Sequence, residues 1–289
     1  MTYKLLAMDM DGTLLMDNKD ISSRNLAAIR RARKYGVEIV LCTGRPYVTV
    51  EAYLKQLGID CWVVTNNGGV TRNKKGQIIE VIYMQSKALE KTISVLLQEK
   101  VYFHISDEKD TFILNYSQRL RKIYEFILKT GVSKAKALSI AIKSVFLKGN
   151  HKKVDFSKFV ERGRKATSVF IISSDSKQLR NIGKNLAHIK NIDITSSGFN
   201  NLEVLDEKAT KGRALANIAK MLGLNREQVI AVGDNYNDLS MIEYAGLGIA
   251  MKNSEHEVIK RADWVTTTNE EDGIAHLIEH FIGNHSLRT

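Results

Sequence analysis

Proline and cysteine are almost absent from this chain. In 289 residues there is one proline, Pro46, and there are two cysteines, Cys42 and Cys61. With so little proline, a proline-rich linker or recognition segment is excluded. Two cysteines are too few for a disulfide framework, and they lack zinc-ligand spacing. No apolar run reaches the roughly 18 residues of a membrane-spanning helix, so none is expected. Met1-Thr2-Tyr3-Lys4 leads directly into a strand-like run, without the apolar stretch and cleavage site of a signal peptide. A soluble, cytoplasmic protein is therefore expected. Neither G-x-x-x-x-G-K-[ST] nor a helix-opening G-x-G-x-x-G is present, which leaves a nucleotide-dependent kinase or dehydrogenase unsupported.

Acidic charge is scarce in the middle of the chain. Between Gln85 and Thr195 stand 22 Lys and Arg against 10 Asp and Glu, while the remainder is close to neutral. The net charge of +11 therefore belongs to that segment. A solvated surface, steering of an anionic substrate and binding of nucleic acid would each produce it.

The two ends of the chain share one pattern. Short apolar runs at Lys4–Met8, Val37–Cys42 and Trp62–Thr65 predict strands, and Ser23–Tyr35 between the first two predicts an amphipathic helix. From Lys211 on, helix and strand alternate again: helices at Lys211–Leu222, Leu239–Ala245, Glu255–Arg261 and Gly273–Ile282, strands at Val229–Val232, Gly248–Met251 and Trp264–Thr267. Continuous apolar strands alternating with helices indicate a parallel sheet covered on both faces. The middle reads as an α+β insert with its own sheet. Its predicted strands are Val101–Ile105, Phe112–Leu114 and Thr167–Ser173, and its predicted helices Lys87–Glu99, Arg119–Thr130 and Leu179–Ile189. The expected fold class is thus α/β, a Rossmann-like parallel-sheet core of residues 1–83 and 193–289 carrying an inserted domain at 84–192.

Ligands of such sheets bind beyond the carboxyl ends of the strands. Asp9, Asp11, Gly12 and Thr13 follow the first predicted strand, and Thr43, Gly44 and Arg45 the second. Asn66, Asn67, Gly68 and Gly69 follow the third, and Gly233, Asp234, Asn235, Asn237 and Asp238 follow Val229–Val232. If these ends are neighbours, at least four carboxylates converge. Such a group would raise its own pKa values, and a hard divalent cation would relieve the conflict. Thr43, the Gly44 N–H and a helix start near Pro46 would suit a phosphate.

The motifs Asp9–Leu14 (D-M-D-G-T-L), Thr43–Arg45 (T-G-R), Lys211–Gly212 (K-G) and Gly233–Asp238 (G-D-N-Y-N-D) occur in this order. In them the chain resembles the Cof-type phosphatases of the haloacid-dehalogenase superfamily, with the insert in the place of their large α/β cap. The resemblance implies Asp9 as nucleophile, forming an aspartyl-phosphate, and Asp11 as general acid and then base. It implies Mg²⁺ held by the Asp9 side chain, the Asp11 carbonyl and Asp234, with Asp238 in support. The Met10 backbone, Thr43, Gly44, Lys211 and Asn237 would bind the phosphoryl oxygens. Asn235-Tyr236 departs from the small residue and Glu common in the fourth motif.

The implied partner is a small phosphorylated metabolite such as a sugar phosphate, with no membrane and no nucleic acid. Two alternatives use the same chain: a phosphotransferase with the same core residues, and a nucleic-acid or regulatory binding role for the basic insert. Singly, each motif reads as an ordinary turn, cap or solvated lysine. Asn66–Gly69 fits a turn with left-handed residues as well as a substrate loop. His276, Glu279 and His280 match H-x-x-E-H, but no acidic third ligand follows, so a surface helix face is expected. Tyr102, His104, Tyr116 and Lys148–Lys153 are the insert's candidates for substrate contact.

Overall fold

The computed structural model describes residues 3–128, 131–148, 150–196 and 200–283. Its contacts divide the chain into two units. One comprises residues up to Arg45, Thr49–Val81 and the residues from Lys208 on; the other comprises Pro46–Val48 and Ile82–Glu207.

The first unit opens with β1 (Leu5–Met8), whose four side chains are all buried. Helix α1 (Ser23–Lys34) begins where the Ser22 hydroxyl accepts from the Asn25 N–H. It buries Asn25, Ala28, Ile29 and Ala32, the i, i+3, i+4, i+7 stripe of an amphipathic helix. Then follow β2 (Glu38–Cys42), α2 (Tyr47–Leu57), directly after Pro46, and β3 (Trp62–Thr65). Two short antiparallel strands, β4 (Val70–Arg72) and β5 (Ile78–Val81), extend the sheet edge. They were not expected, because three or four residues around the turn at Asn73–Gly76 carry almost no periodicity.

The second unit contains α3 (Ser86–Gln98), β6 (Tyr102–Ser106), β7 (Thr111–Ile113), α4 (Tyr116–Leu128), α5 (Lys134–Lys143), β8 (His151–Lys153), β9 (Ser168–Ile172), α6 (Ser176–Leu186), β10 (Ile192–Thr195) and β11 (Asn201–Asp206). Its six-stranded sheet has the order β10-β11-β9-β6-β7-β8 and is antiparallel except for β7 beside β8. Phe103, Ile105, Val169, Ile171 and Val204 form its core with Leu89, Ile93 and Leu96 of α3 and Leu179, Ile182 and Leu186 of α6. The last two residues expected in the helix at Arg119–Thr130 lie outside the described residues.

The chain then returns through α7 (Lys211–Met221), β12 (Val229–Gly233), α8 (Leu239–Tyr244), β13 (Leu247–Ala250), α9 (His256–Arg261), β14 (Trp264–Val265) and α10 (Gly273–Phe281). The first sheet has the order β14-β13-β12-β1-β2-β3-β4-β5, parallel from β14 through β3. β1 is thus central, between β2 and β12. Burying each of its large side chains contributes about 1.5–3 kcal/mol.

The second boundary differs from the expected edge at 192–193. β10 and β11 pair antiparallel, and β11 pairs with β9, so the inserted sheet runs on to Asp206. Local sequence does not distinguish a strand that extends one sheet from a strand that starts another. Among the described residues, no helix is long and apolar enough to cross a membrane.

Candidate active site

The carboxyl ends of β1, β2, β3 and β12 bring the predicted residues of the first unit together. Asp9 leaves β1 with its N–H donating to Val232 O (3.0 Å). From the start of α7, buried Lys211 places Nζ 2.6 Å from Asp9 Oδ1 and 2.6 Å from Asp238 Oδ1. α7 is set there by Thr210, whose hydroxyl accepts from the Arg213 N–H (3.1 Å). Gly212 lets α7 approach α8: a Cβ there would overlap the Ser240 carbonyl. Asp238 Oδ2 accepts from the backbone N–H of Asp234 (2.9 Å) and of Asn235 (3.0 Å). Each Asp238 oxygen therefore already takes a protein donor. Asp234 Oδ1 accepts from the Thr13 hydroxyl (2.8 Å).

Carboxylate oxygens of Asp9, Asp234 and Asp238 lie within 4.8 Å of one another. Burial, opposed by Lys211 and reinforced by Asp238, raises the Asp9 carboxyl to about 7. Burial, then the charges of Asp9 and Asp238, push Asp234 well above the usual carboxylate range. Burial disfavours the Lys211 charge, but Asp238 and Asp9 outweigh it and hold the ammonium above its ordinary value. Three carboxylates thus face one buried cation. This oxygen-rich, under-neutralised donor set fits a hard divalent cation.

Asp11 does not join them. Arg45 forks onto it, Nε to Oδ2 at 2.6 Å and Nη2 to Oδ1 at 2.7 Å, and Lys19 Nζ adds 2.9 Å to Oδ1. Burial would raise this carboxyl, but the Arg45 hydrogen bonds and charge, with Lys19, lower it to about 2. Tyr53 braces the arrangement, accepting from Arg45 (3.3 Å) and donating to the Lys19 carbonyl (3.1 Å). The expected convergence of four carboxylates is therefore corrected to three. No local signal marks Lys19 or Tyr53 for this task, because the pairing joins separate loops.

Met10 turns its side chain into the core, so only its backbone can take part. Buried Thr43 accepts at Oγ1 from the Arg45 N–H (3.2 Å), across Gly44. Asn66 and Asn67 adopt left-handed conformations with φ near +50°, as the turn reading required. Asn67 also accepts from Asn237 Nδ2 (3.0 Å) and donates its N–H to the Thr43 carbonyl (3.1 Å). The turn therefore ties the β2, β3 and β12 ends together.

Gly12 holds a φ of +80°, and a Cβ there would overlap the Asp234 carboxylate. Gly12→Ala is expected to lower kcat/KM at least about 100-fold by displacing Asp234, as misplacements of about 1 Å do. Assays beside circular dichroism would check this; an active, folded variant would show that Asp234 tolerates displacement.

His276 and His280 both stack on Trp264, with ring centroids 5.4 and 5.3 Å away, and Glu279 pairs with Arg24 and Arg31. The H-x-x-E-H residues are thus engaged in packing and ion pairs. In the second unit, Arg119 donates to His151 Nε2 (3.0 Å) and lies near Tyr102 and His104, while Tyr116 donates to the His151 carbonyl (3.0 Å). Lys152 pairs with Asp110 (2.6 Å), and Gly149 of the Lys148–Lys153 stretch lies outside the described residues.

The sequence profile of the haloacid dehalogenase-like hydrolases matches residues 6–278. The chain is 30% identical to "Phosphatase YwpJ" of Bacillus subtilis, over 96% of this chain and all of the relative. It is 30% identical to the "5-amino-6-(5-phospho-D-ribitylamino)uracil phosphatase YwtE" of the same organism, over 96% and 98%. A solved haloacid dehalogenase-like hydrolase from B. subtilis superposes with a TM-score of 0.83 at 30% identity, covering 96% of this chain and all of that one.

Proposed function

The chain belongs to the haloacid dehalogenase-like hydrolases, and from that premise we propose that it is a Mg²⁺-dependent phosphatase of small phosphomonoesters, working through an aspartyl-phosphate on Asp9. The observation that carries the reading is the set of three carboxylates around Lys211 at the end of β1. A relative acting on a phosphoribityl compound supports the substrate class.

Asp9 and Asp234 would hold Mg²⁺ with the Asp11 carbonyl, and Asp238 would position Lys211 and the Asp234 backbone. When bound, the cation supplies positive charge against the phosphoryl oxygens. Lys211, the Thr43 hydroxyl, the Gly44 and Met10 backbone and Asn237 bind the other oxygens. An Asp9 oxygen attacks phosphorus, and the bond to the ester oxygen breaks with its electron pair on that oxygen. Asp11 gives the leaving oxygen a proton, then takes one from the water that attacks the aspartyl-phosphate, releasing phosphate and restoring Asp9. Positioning and charge do most of the work, as in phosphoryl transfer generally.

Asp11 in the Arg45 fork is ionised, the form needed for its second role. Its first role requires it to leave the fork and take a proton. Arg45→Gln removes two hydrogen bonds and a positive charge, both of which favour the ionised form. The limb of the kcat–pH profile set by Asp11 is expected to move to higher pH. An unmoved profile would mean that the fork plays no part in turnover.

Phosphate release from a panel of phosphomonoesters, with and without Mg²⁺, tests the function; release without added metal from chelator-treated protein would overturn the metal assignment. Stability gives a second readout. Asp9 has a folded pKa raised above its ordinary value, so metal-free stability is lost as pH rises through about 7. The cation needs the ionised form and binds more tightly as pH rises through the same value. Saturating Mg²⁺ is therefore expected to raise Tm by about 5 °C near pH 8 and less near pH 6. An equal shift at both would show that Asp9 does not titrate in this range.

A further inference from the structure

Helix α5 of the second unit is built with its small residues inward and its large ones outward. Its buried side chains are Ala137 and Ala141, and Val145 continues that line one turn on. Facing solvent are Leu138 (45% exposed), Ile140 (39%), Ile142 (41%) and, just beyond the helix, Phe146 (55%). Leu138 and Ile142 stand one turn apart on the same side. Phe146 follows at the next turn, its ring stacked on Tyr116 (5.5 Å), and Leu114 is 40% exposed. A helix serving only its own core would turn its large side chains inward. Single exposed aliphatics carry no meaning, but a contiguous group of them marks a contact surface.

The charge around this stripe points to its occupant. From Phe126 through Lys153 the sequence contains seven lysines and no aspartate or glutamate. On α5 itself, Lys134, Lys136 and Lys143 are exposed, and among the described residues none of them has an acidic partner. A second copy of the chain would bring lysines against lysines. Nucleic acid would satisfy the lysines but leave four aliphatic and aromatic side chains without a counterpart. A folded acidic protein needs roughly 800 Å² per partner for a stable contact, more than one short convex ridge offers. A bilayer containing anionic lipid satisfies both features: apolar side chains enter the boundary of the acyl chains, and lysines reach the headgroup phosphates.

We propose that α5 and the turn after it dock the protein on anionic phospholipid surfaces, with Leu138, Ile142 and Phe146 inserted and Lys134, Lys136 and Lys143 at the headgroups. This goes beyond the phosphatase reading and stands independently of it. It also departs from the expectation of no membrane partner, which rested on the lack of a spanning run and says nothing about a helix lying on the surface.

The test is co-sedimentation of the full chain with phosphatidylcholine vesicles and with phosphatidylcholine–phosphatidylglycerol vesicles. The wild type is expected to pellet with the anionic vesicles and to be released by salt. Leu138→Glu/Ile142→Glu should bind at least about tenfold more weakly. Lys134→Gln/Lys136→Gln/Lys143→Gln should weaken binding while keeping the stripe. All these positions are exposed, so circular dichroism and phosphate release from a soluble ester should match the wild type. Absence of binding to anionic vesicles overturns the proposal, as does equal binding by the Glu variant. A concentration-dependent dimer in sedimentation velocity, abolished by the Glu variant, would assign the stripe to a second copy instead.

Discussion

Asp9→Asn abolishes phosphate release, with an expected loss on the order of 10⁴-fold or more, and leaves the fold as stable as before or more so. The two halves of that result have one origin. An amide cannot form the acyl phosphate, so the covalent route closes. In the metal-free protein, however, Asp9 is one of three crowded carboxylates opposed by a single lysine. The substitution removes one negative charge from a buried group that burial already holds near 7. It should also abolish most of the Mg²⁺-induced rise in Tm, because a ligand is lost. Residual release comparable to wild type would sink the nucleophile assignment. A large drop in metal-free Tm would show that the Asp9–Lys211 pair is needed for folding as well as chemistry.

Lys211→Met is expected to produce the largest loss of stability, about 3–5 kcal/mol, since it leaves two buried carboxylates without their counter-ion. Lys211 is fully buried, and its ammonium is 2.6 Å from both Asp9 and Asp238. Methionine matches its length and fills the space, so the loss reports charge rather than a cavity. Urea denaturation would measure it. Combining the change with Asp9→Asn should recover part of the loss, because only Asp238 would then be left unpaired. Strict additivity of the two single effects would show that they do not interact through this pair. Activity should fall sharply even where the folded fraction is high, since Lys211 is assigned to a phosphoryl oxygen.

Much of the candidate site was legible along the chain. Asp9, Thr43, Asp234 and Asn237 each follow an apolar run, and Lys211 opens a helix. Apolar runs of this kind become central strands because only they can be buried on both faces. The motifs, their order, the parallel first sheet and the expectation of a separate inserted sheet rest on that local chemistry. The glycine positions follow from close packing: Gly12 against Asp234 and Gly212 against Ser240 admit no Cβ.

What tertiary structure alone decided is which charged group meets which. Asp9 and Asp11 are two residues apart, yet one is drawn to Lys211, 202 positions away, and the other to Arg45 and Lys19. The two carboxyls consequently shift in opposite directions, toward about 7 and toward about 2. The same holds for β10 and β11, which join the second sheet by pairing with β9, and for α5, whose alanines were taken inward while its larger residues stayed at the surface. Local sequence sets propensity and periodicity. Partner, burial and dielectric are properties of distant segments brought together, and these decide the charge state of a side chain and the face a helix shows to solvent.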